Sequence, residues 1–167
     1  MSKLMHFRSS PVLRQAFNMM LNPGRPDLLC VQGPIESGKS VWSLGVLYAM
    51  ACTIPRCNDG VRRSKWLVVR NSYPDLESGT LETVKQWLKE DIYGPIKGKG
   101  PFRHRCQFLD VDMLIEYRSF RDDGEELLRA LRSTEYTGVW INEGQFMPLR
   151  LVTQMMDRTG RYPSKAD

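Results

Sequence analysis

The feature that most constrains this chain is a glycine-rich segment of eight residues between two apolar runs. The segment consists of Gly33, Pro34, Ile35, Glu36, Ser37, Gly38, Lys39 and Ser40. It matches G-x-x-x-x-G-K-[ST] at every fixed position. Residues 28–32 before it predict a buried strand, and residues 41–52 after it predict a helix packed on a sheet. A strand, a glycine-rich turn and a helix in this order predict a phosphate-binding loop.

Each fixed residue of this loop has a chemical role. Gly33 and Gly38 let the backbone curl around a phosphate, so that its amide groups bind the anion at a helix N-terminus. Lys39 brings a positive charge to the outer phosphates and is expected to act in catalysis, while the Ser40 hydroxyl is suited to bind Mg²⁺. We therefore predict ATP and Mg²⁺ as cofactors, with all eight residues of the loop in the cofactor site.

A second constellation is an apolar run, 139–141, that ends in Asn142 and Glu143. The usual pattern at such a strand end is Asp-Glu, where the Asp orients the metal's water shell and the Glu activates the attacking water. Asn142 stands in place of the Asp and is predicted to position metal-bound water without adding charge. Glu143 keeps the carboxylate that a general base needs, at the strand end where ligands bind in open α/β sheets.

The remaining pattern alternates strands with helices. Strands are predicted at 65–70, 107–111, 113–119 and 137–142, helices at 81–88, 124–132 and 148–158, and a mobile basic loop at 94–101. This alternation predicts an α/β fold with a mostly parallel sheet. Together with the loop and the terminal glutamate, it indicates a P-loop NTPase of the ASCE type, a three-layer sandwich. Residues 1–27 are expected to form a helical segment that packs on the ATPase core, 28–167.

Composition is compatible with this interpretation but does not specify it. The chain has 167 residues, enough for one domain, and no apolar run of the roughly 18 residues that a membrane span needs. Its net charge is +5, and 16 of its 24 basic residues are Arg, a composition that suits phosphate chemistry and a solvated surface about equally. The cysteines form no Cys-x-x-Cys pair. A loose zinc site is conceivable from Cys52, Cys57, His104 and Cys106.

Five stretches give the chain a resemblance to the ATPase domain of tailed-phage terminase large subunits. They are the loop at 33–40 and the stretches 68–76, 80–87, 136–143 and 158–163. The loop is specific only for a superfamily. The combination of Thr-Gly-x-Trp-x-Asn-Glu with a downstream Arg-x-Gly-Arg-Tyr-Pro is what resembles terminases. Some members of that family carry Asn-Glu, so Asn142 is compatible with it, whereas the Arg that many members place in the loop is absent here.

The resemblance implies an ATPase that moves double-stranded DNA into a procapsid. It implies a homo-oligomeric ring on the portal protein, the small terminase subunit as a partner, no membrane, and the host cytoplasm as the location. It also implies an Arg that reaches a neighbouring subunit's site from just before the acidic strand; Arg129 and Arg132 fit, and Arg132 is preferred. Because 167 residues end before the family's coupling motif and nuclease domain, the chain is expected to be a fragment with little or no activity alone.

Three other classes remain open from the residues. One is another nucleic-acid-dependent P-loop ATPase, either a helicase or a ring translocase. Another is a small-molecule or nucleotide kinase, in which Arg118 and Arg121 would serve a lid. The last is a module that binds a nucleotide without hydrolysing it, an alternative that the neutral Asn142 leaves open.

Overall fold

The protein is described by a computed structural model that covers residues 9–34 and 36–164. It contains a five-stranded sheet in the order β2-β3-β4-β1-β5. The strands are β1 (Arg62–Arg70), β2 (Ile96–Lys97), β3 (Phe102–Phe108), β4 (Val111–Ser119) and β5 (Gly138–Ile141). Strand β1 pairs in parallel with both β4 and β5, while β2, β3 and β4 pair antiparallel. The predicted α/β class with a parallel central sheet is confirmed, with an antiparallel edge.

Helices cover the sheet and connect its strands. The described ones are α1 (Pro11–Leu21), α2 (Lys39–Thr53), α3 (Tyr73–Asp75), a π-helical turn (Leu76–Leu81), α4 (Glu82–Trp87), α5 (Glu90–Tyr93), α6 (Phe120–Asp123), α7 (Glu125–Ser133), a 3₁₀ turn (Gly144–Phe146) and α8 (Leu149–Met156). The predicted helices at 41–52, 81–88, 124–132 and 148–158 therefore form, each with its ends shifted by a few residues or fewer.

Strand β1 is buried on both faces, which makes the molecule three layers thick. Trp66 and Val68 pack into one apolar cluster with α1, α2 and α4. Leu67 and Val69 pack into a second cluster with α7 and α8. Adjacent strand residues point to opposite faces, so a run of apolar residues is what a strand between two helical layers requires.

Helix α1 packs directly on α2. The indole Nε1 of Trp42 donates a hydrogen bond of 2.6 Å to the carbonyl of Leu13, and both residues are buried. Ser10 caps α1 by accepting a hydrogen bond from the amide of Leu13. These contacts attach the described part of segment 1–27 to the core, while residues 1–8 lie outside the described residues.

Two terminase-like stretches of the sequence, 136–143 and 158–163, meet in space. The amides of Tyr136 and Gly160 donate hydrogen bonds to the carbonyls of Arg158 and Thr137, respectively. The Thr137 hydroxyl donates to the carbonyl of Tyr162 and accepts from the amide of Lys65. The segment after α8 is therefore fixed to the start of β5.

Three details of the predicted secondary structure were wrong. Residues 28–32 form no strand, because they pair with none of the five strands of the described sheet and a strand is defined by its ladder of hydrogen bonds. Leu29 and Val31 still pack on the core, whereas Leu28 is 49% exposed. The predicted hairpin exists, but its first strand is β3 and its turn lies at Leu109–Asp110. The predicted loop 94–101 contains β2.

Candidate functional site

The direction of α2 points the glycine-rich loop toward the carboxyl edge of the sheet. At the other end of α2, the Ile54 carbonyl accepts a hydrogen bond from Nη1 of Arg62, the first residue of β1. Because the C-terminus of α2 lies at the amino end of β1, its N-terminus at Lys39 points toward the carboxyl end. Asn142 and Glu143 follow β5 at that same edge, where ligands bind in α/β sheets.

Two residues of the loop have a left-handed backbone conformation. Gly38 has a φ of 81° and directly precedes α2, so a left-handed residue that favours glycine ends the loop. Glu36 also has a positive φ, 62°, which is uncommon for a residue with a side chain. A Cβ at Gly33 would meet only an ordinary contact of 3.5 Å, to Ser37 Oγ. Of the two loop glycines, only Gly38 therefore has a backbone conformation that requires glycine. Ile35 lies outside the described residues.

Lys39 folds over its own loop. Its Nζ donates hydrogen bonds to the carbonyls of Gly33 and Pro34, at 2.8 and 2.5 Å, and to Ser37 Oγ at 3.0 Å. All three acceptors are neutral, and no carboxylate of the described residues pairs with this ammonium. The positive charge of Lys39 is therefore held inside the loop without being neutralised, as a phosphate ligand requires.

Asn142 and Glu143 stand where the sequence predicts them, at the end of β5. The Asn142 amide donates a 2.9 Å hydrogen bond to the Val69 carbonyl and thus continues the ladder between β5 and β1. Glu143 follows with a φ of 60°, a left-handed conformation for a residue that is not glycine. Backbone strain of this kind concentrates at functional sites. Its side chain is 46% exposed.

Arg70, at the carboxyl end of β1, is a site residue that the sequence analysis did not identify. Its Nη2 lies 2.8 Å from Glu143 Oε1, and its Nη1 donates to the Asp75 carbonyl. The Arg70 side chain is only 15% exposed, so the pair is partly shielded from water. The parallel pairing of β1 with β5 is the one signal that could have revealed it, since Arg70 and Glu143 end neighbouring strands.

The π-helical turn Leu76–Leu81 borders both residues. The Thr80 hydroxyl accepts a 2.8 Å hydrogen bond from Nδ2 of Asn142. A Cβ at Gly79 would overlap Nη1 of Arg70, so the absence of a side chain there gives the guanidinium its place. π-helical turns are rare and often occur at functional sites.

The chemistry of these donors fits a nucleotide with Mg²⁺. Mg²⁺ takes few protein ligands and keeps several waters and phosphate oxygens, so it needs no carboxylate cluster. No group of three or more His, Cys, Asp or Glu suited to a metal occurs within residues 9–34 and 36–164. The hydroxyl of Ser40, in the first turn of α2, and Oδ1 of Asn142 are the oxygen donors available to Mg²⁺ or its waters. The loop amides and Lys39 would hold the phosphates.

Arg132 lies at the opposite edge of the sheet. Helix α7 runs back from the end of β4 toward the start of β5, and Arg132 is exposed in its last turn. It lines a cavity of about 450 Å³ together with Lys65 and Arg158. The structure therefore does not bring Arg132 to the Lys39 and Glu143 of its own chain. A role at a neighbouring chain's nucleotide is compatible with that position and remains a prediction.

Other residues considered from the sequence have different surroundings. Cys106 Sγ lies 3.5 Å from Nε2 of His104, but Cys52 and Cys57 do not complete a metal cluster with them in the described part of the chain. Arg118 pairs with the buried carboxylate of Asp123 at 3.6 Å and is itself almost fully buried, so it is not available to a kinase lid. None of the described helices has the length and apolar character of a membrane span.

The comparisons with known proteins identify similar structures only. No protein-family model matches the chain, and no curated protein does. Two solved structures of the large terminase from a thermophilic bacteriophage resemble it, one of them a complex with ADP. The two structures have TM-scores of 0.69 and 0.64 against this chain and sequence identities of 15% and 16%. Each match covers 92% of this chain.

The chain covers 37% and 36% of those two terminase chains, so it corresponds to little more than a third of their length. At this level of identity the likeness concerns the fold. Over nearly its whole length, the chain has a fold found within a phage large terminase.

Proposed function

We propose that this chain is the ATPase domain of a viral terminase large subunit, which hydrolyses ATP to drive double-stranded DNA into a procapsid. The observation that carries the proposal is the terminase-like fold, in which the loop at 33–40 leads into α2 and Asn142 and Glu143 follow β5. The ADP bound in one of the similar structures supports a nucleotide as the ligand.

The binding step uses the loop and the first turn of α2. Lys39 exchanges its neutral loop acceptors for the outer phosphates, which are stronger acceptors because they are charged. The Ser40 hydroxyl and Asn142 Oδ1 would hold Mg²⁺ and its waters, and the ion would supply positive charge to the phosphates.

Hydrolysis is assigned to Glu143. Its carboxylate accepts the proton of the attacking water, and the left-handed backbone at this residue turns it out of β5 toward the edge. Arg70 fixes one carboxylate oxygen at 2.8 Å, which leaves the other oxygen to receive the proton. Arg70 therefore positions the base and does not itself take part in proton transfer.

The proposal includes binding partners for the assembled protein. They are double-stranded DNA, a portal protein, a small terminase subunit and further copies of the chain in a ring, all in the host cytoplasm. Arg132 is proposed to act on the nucleotide of the neighbouring copy. Stimulation of phosphate release by DNA would support a DNA-dependent ATPase over a kinase.

The proposed base is tested by Glu143→Gln, which keeps the size of the side chain and its contact with Arg70 but removes the acceptor of the proton. We expect loss of ATP hydrolysis by about 10² or more, with ATP affinity unchanged. Glu126→Gln, at an exposed position of α7, is the matched control and should hydrolyse like the parent. Equal hydrolysis by Glu143→Gln and the parent would show that another residue is the base.

A further inference from the structure

The cavity beside Arg132, here called the amino-edge cavity, is lined by cations from three separate elements. Lys65 belongs to β1, Arg132 to the last turn of α7, and Arg158 to the segment that follows α8. The cavity has a volume of about 450 Å³. Because the three residues are far apart in sequence, the tertiary fold is what brings their charges together.

Arg158 is the first residue of a terminase-like stretch, 158–163, to which the nucleotide loop and the strand-end glutamate give no chemical role. Its carbonyl accepts a 3.0 Å hydrogen bond from the amide of Tyr136. Further along the stretch, the carbonyl of Tyr162 accepts a 3.0 Å hydrogen bond from the hydroxyl of Thr137. The stretch is therefore fixed on the start of β5, and this attachment holds Arg158 at the cavity beside Arg132.

The positive charge of the amino-edge cavity is not neutralised by the protein itself. Among the residues that the structure describes, no carboxylate forms an ion pair with Arg132 or Arg158. Lys65 lies 4.0 Å from Glu116, at the limit of an ion pair. The lining includes one carboxylate, that of the exposed Glu135. Three cations therefore face a single carboxylate, and the cavity suits an anion with more than one charge.

The neighbouring arginines of the same sheet face are, in contrast, paired. The register of β1, β3 and β4 places Arg63, Arg103 and Arg105 on the face that carries Lys65. Each of these arginines pairs with a carboxylate of this chain. Duplex DNA carries its charge along its whole length, so proteins bind it with unpaired cations spread over a surface. Unpaired cations that converge on one cavity fit a compact polyphosphate better, and arginine forks match phosphate geometry.

We propose that the amino-edge cavity is a phosphate-binding site, in which Lys65 and Arg158 join Arg132 in holding the phosphates of a nucleotide carried by a second copy of the chain. The binding of phosphate follows from the cavity and its charges. The second copy's nucleotide as the source of that phosphate rests on the proposed function, since the loop of that copy must bind it.

The experiment uses tripolyphosphate, which has the phosphates of ATP without its base and ribose. Calorimetry measures its affinity for the chain in a Lys39→Ala background, which removes the main cation of the loop. Arg158→Gln removes one charge from the cavity. Arg161→Gln removes the same charge from an exposed position of the same stretch that does not line the cavity. We expect Arg158→Gln to weaken binding by about tenfold or more, as loss of a charge-assisted hydrogen bond does, and Arg161→Gln to leave it unchanged.

Glu135→Gln supplies an arm of the opposite sign. Removing the carboxylate that lines the cavity should tighten tripolyphosphate binding by about two- to fivefold, the size expected of an exposed charge. Equal losses from Arg158→Gln and Arg161→Gln would indicate a general effect of net charge and overturn the proposal. Weaker binding by Glu135→Gln, or no binding of millimolar tripolyphosphate, would also overturn it. If Arg158→Gln fails to fold by thermal melting, Arg132→Gln, at an exposed position, replaces it.

Competition identifies the source of the phosphate. We expect ATP to displace tripolyphosphate from the Lys39→Ala chain. A short DNA duplex that displaces it at a lower phosphate concentration than ATP would identify the DNA backbone as the ligand and overturn the assignment to a nucleotide.

The two proposals fail in different ways. A parent chain that binds no Mg·ATP would overturn the proposed function and, with it, the nucleotide as the source of the phosphate. A parent that binds Mg·ATP while the Lys39→Ala chain binds no tripolyphosphate would overturn this inference alone.

Discussion

Lys39 and Arg70 are both cations at the carboxyl edge, but they are bound differently. Lys39 is bonded to neutral oxygens of its own loop, whereas Arg70 is paired with the Glu143 carboxylate. A phosphate can replace neutral acceptors at little electrostatic cost, while separating Arg70 from Glu143 would leave a partly shielded charge alone. This difference supports the proposed roles, in which Lys39 binds the ligand and Arg70 holds the base.

His104 makes folding stability depend on pH. It is fully buried on β3, with Nε2 at 2.9 Å from the Gly94 carbonyl and Nδ1 without a partner. Burial lowers the pKa of His104 below its usual value of about 6.5. Above that pH both the folded and unfolded forms are neutral, and below it the unfolded chain binds the proton first.

We therefore predict that the free energy of unfolding falls as pH drops from about 6.5 toward 5, by up to about 1.4 kcal/mol per pH unit. Urea unfolding across this range measures it. His104→Gln, which can still donate to Gly94, should lose this pH dependence although its overall stability is lower. If the free energy of unfolding falls equally with pH in the parent and in His104→Gln, groups other than His104 cause the pH dependence.

At the residue scale, the sequence revealed motifs but not the residues around them. Lys39, Asn142 and Glu143 belong to local patterns whose spacing carries their chemistry. Arg70 and Thr80 are separated from their partners by 73 and 62 positions, and nothing local distinguishes them from a surface Arg or a helical Thr. Only the strand pairing and the π-helical turn bring them to the site.

At the element scale, Gly138 is needed by the packing of β5 on β1. A Cβ at Gly138 would overlap Cζ3 of Trp66 and lie 3.0 Å from its Cε3, in a buried ring that has little room to move. We predict that Gly138→Ala lowers the free energy of unfolding by about 1–3 kcal/mol, as overpacking does.

Gly45→Ala is the matched control for this prediction. Gly45 lies inside α2, and a Cβ there would meet only an ordinary contact of 3.9 Å, to Phe17. Because Ala is the better helix former, the control should be neutral or stabilising by up to about 1 kcal/mol. Urea unfolding of both variants measures the difference, and equal stabilities would contradict the packing account.

Helices and strands whose hydrophobic pattern matches their burial in the structure were predicted well. Strand β1 is apolar because both of its faces are covered, and α2 is apolar on most sides because it lies between other layers. Residues 28–32 have the same apolar character but no neighbouring strand in the described part of the chain. Hydrophobicity alone reports burial and does not supply the hydrogen-bonding partner that makes a strand.

At the scale of the whole molecule, the proposed site residues lie at two opposite edges of the sheet. Lys39 and Glu143 lie at the carboxyl edge, and Arg132 lies in the last turn of α7 near the amino edge. The proposed role of Arg132 therefore requires the nucleotide site of a second chain. An arginine supplied by a neighbouring subunit raises the rate of comparable NTPases by about 10³–10⁵.

We predict that Arg132→Ala acts in trans. In the assembled protein, Arg132→Ala and Glu143→Gln should each be nearly inactive, and mixing them should restore part of the hydrolysis at the mixed interfaces. The isolated chain should hydrolyse ATP slowly at every concentration tested. Phosphate release measures both, and fast turnover by the isolated chain that Arg132→Ala leaves unaffected would contradict a shared site.

The most direct test of the central claim is calorimetric titration of the chain with Mg·ATP, beside its Lys39→Ala variant. Removing a charge-assisted hydrogen bond to phosphate costs about 1.5–3 kcal/mol, which weakens binding by about 10–100-fold. Lys85→Ala, at an exposed position of α4, controls for net charge. The account predicts that the parent and Lys85→Ala bind Mg·ATP alike and that Lys39→Ala binds it at least tenfold more weakly. Equal affinity in all three, or no binding by the parent, would contradict it.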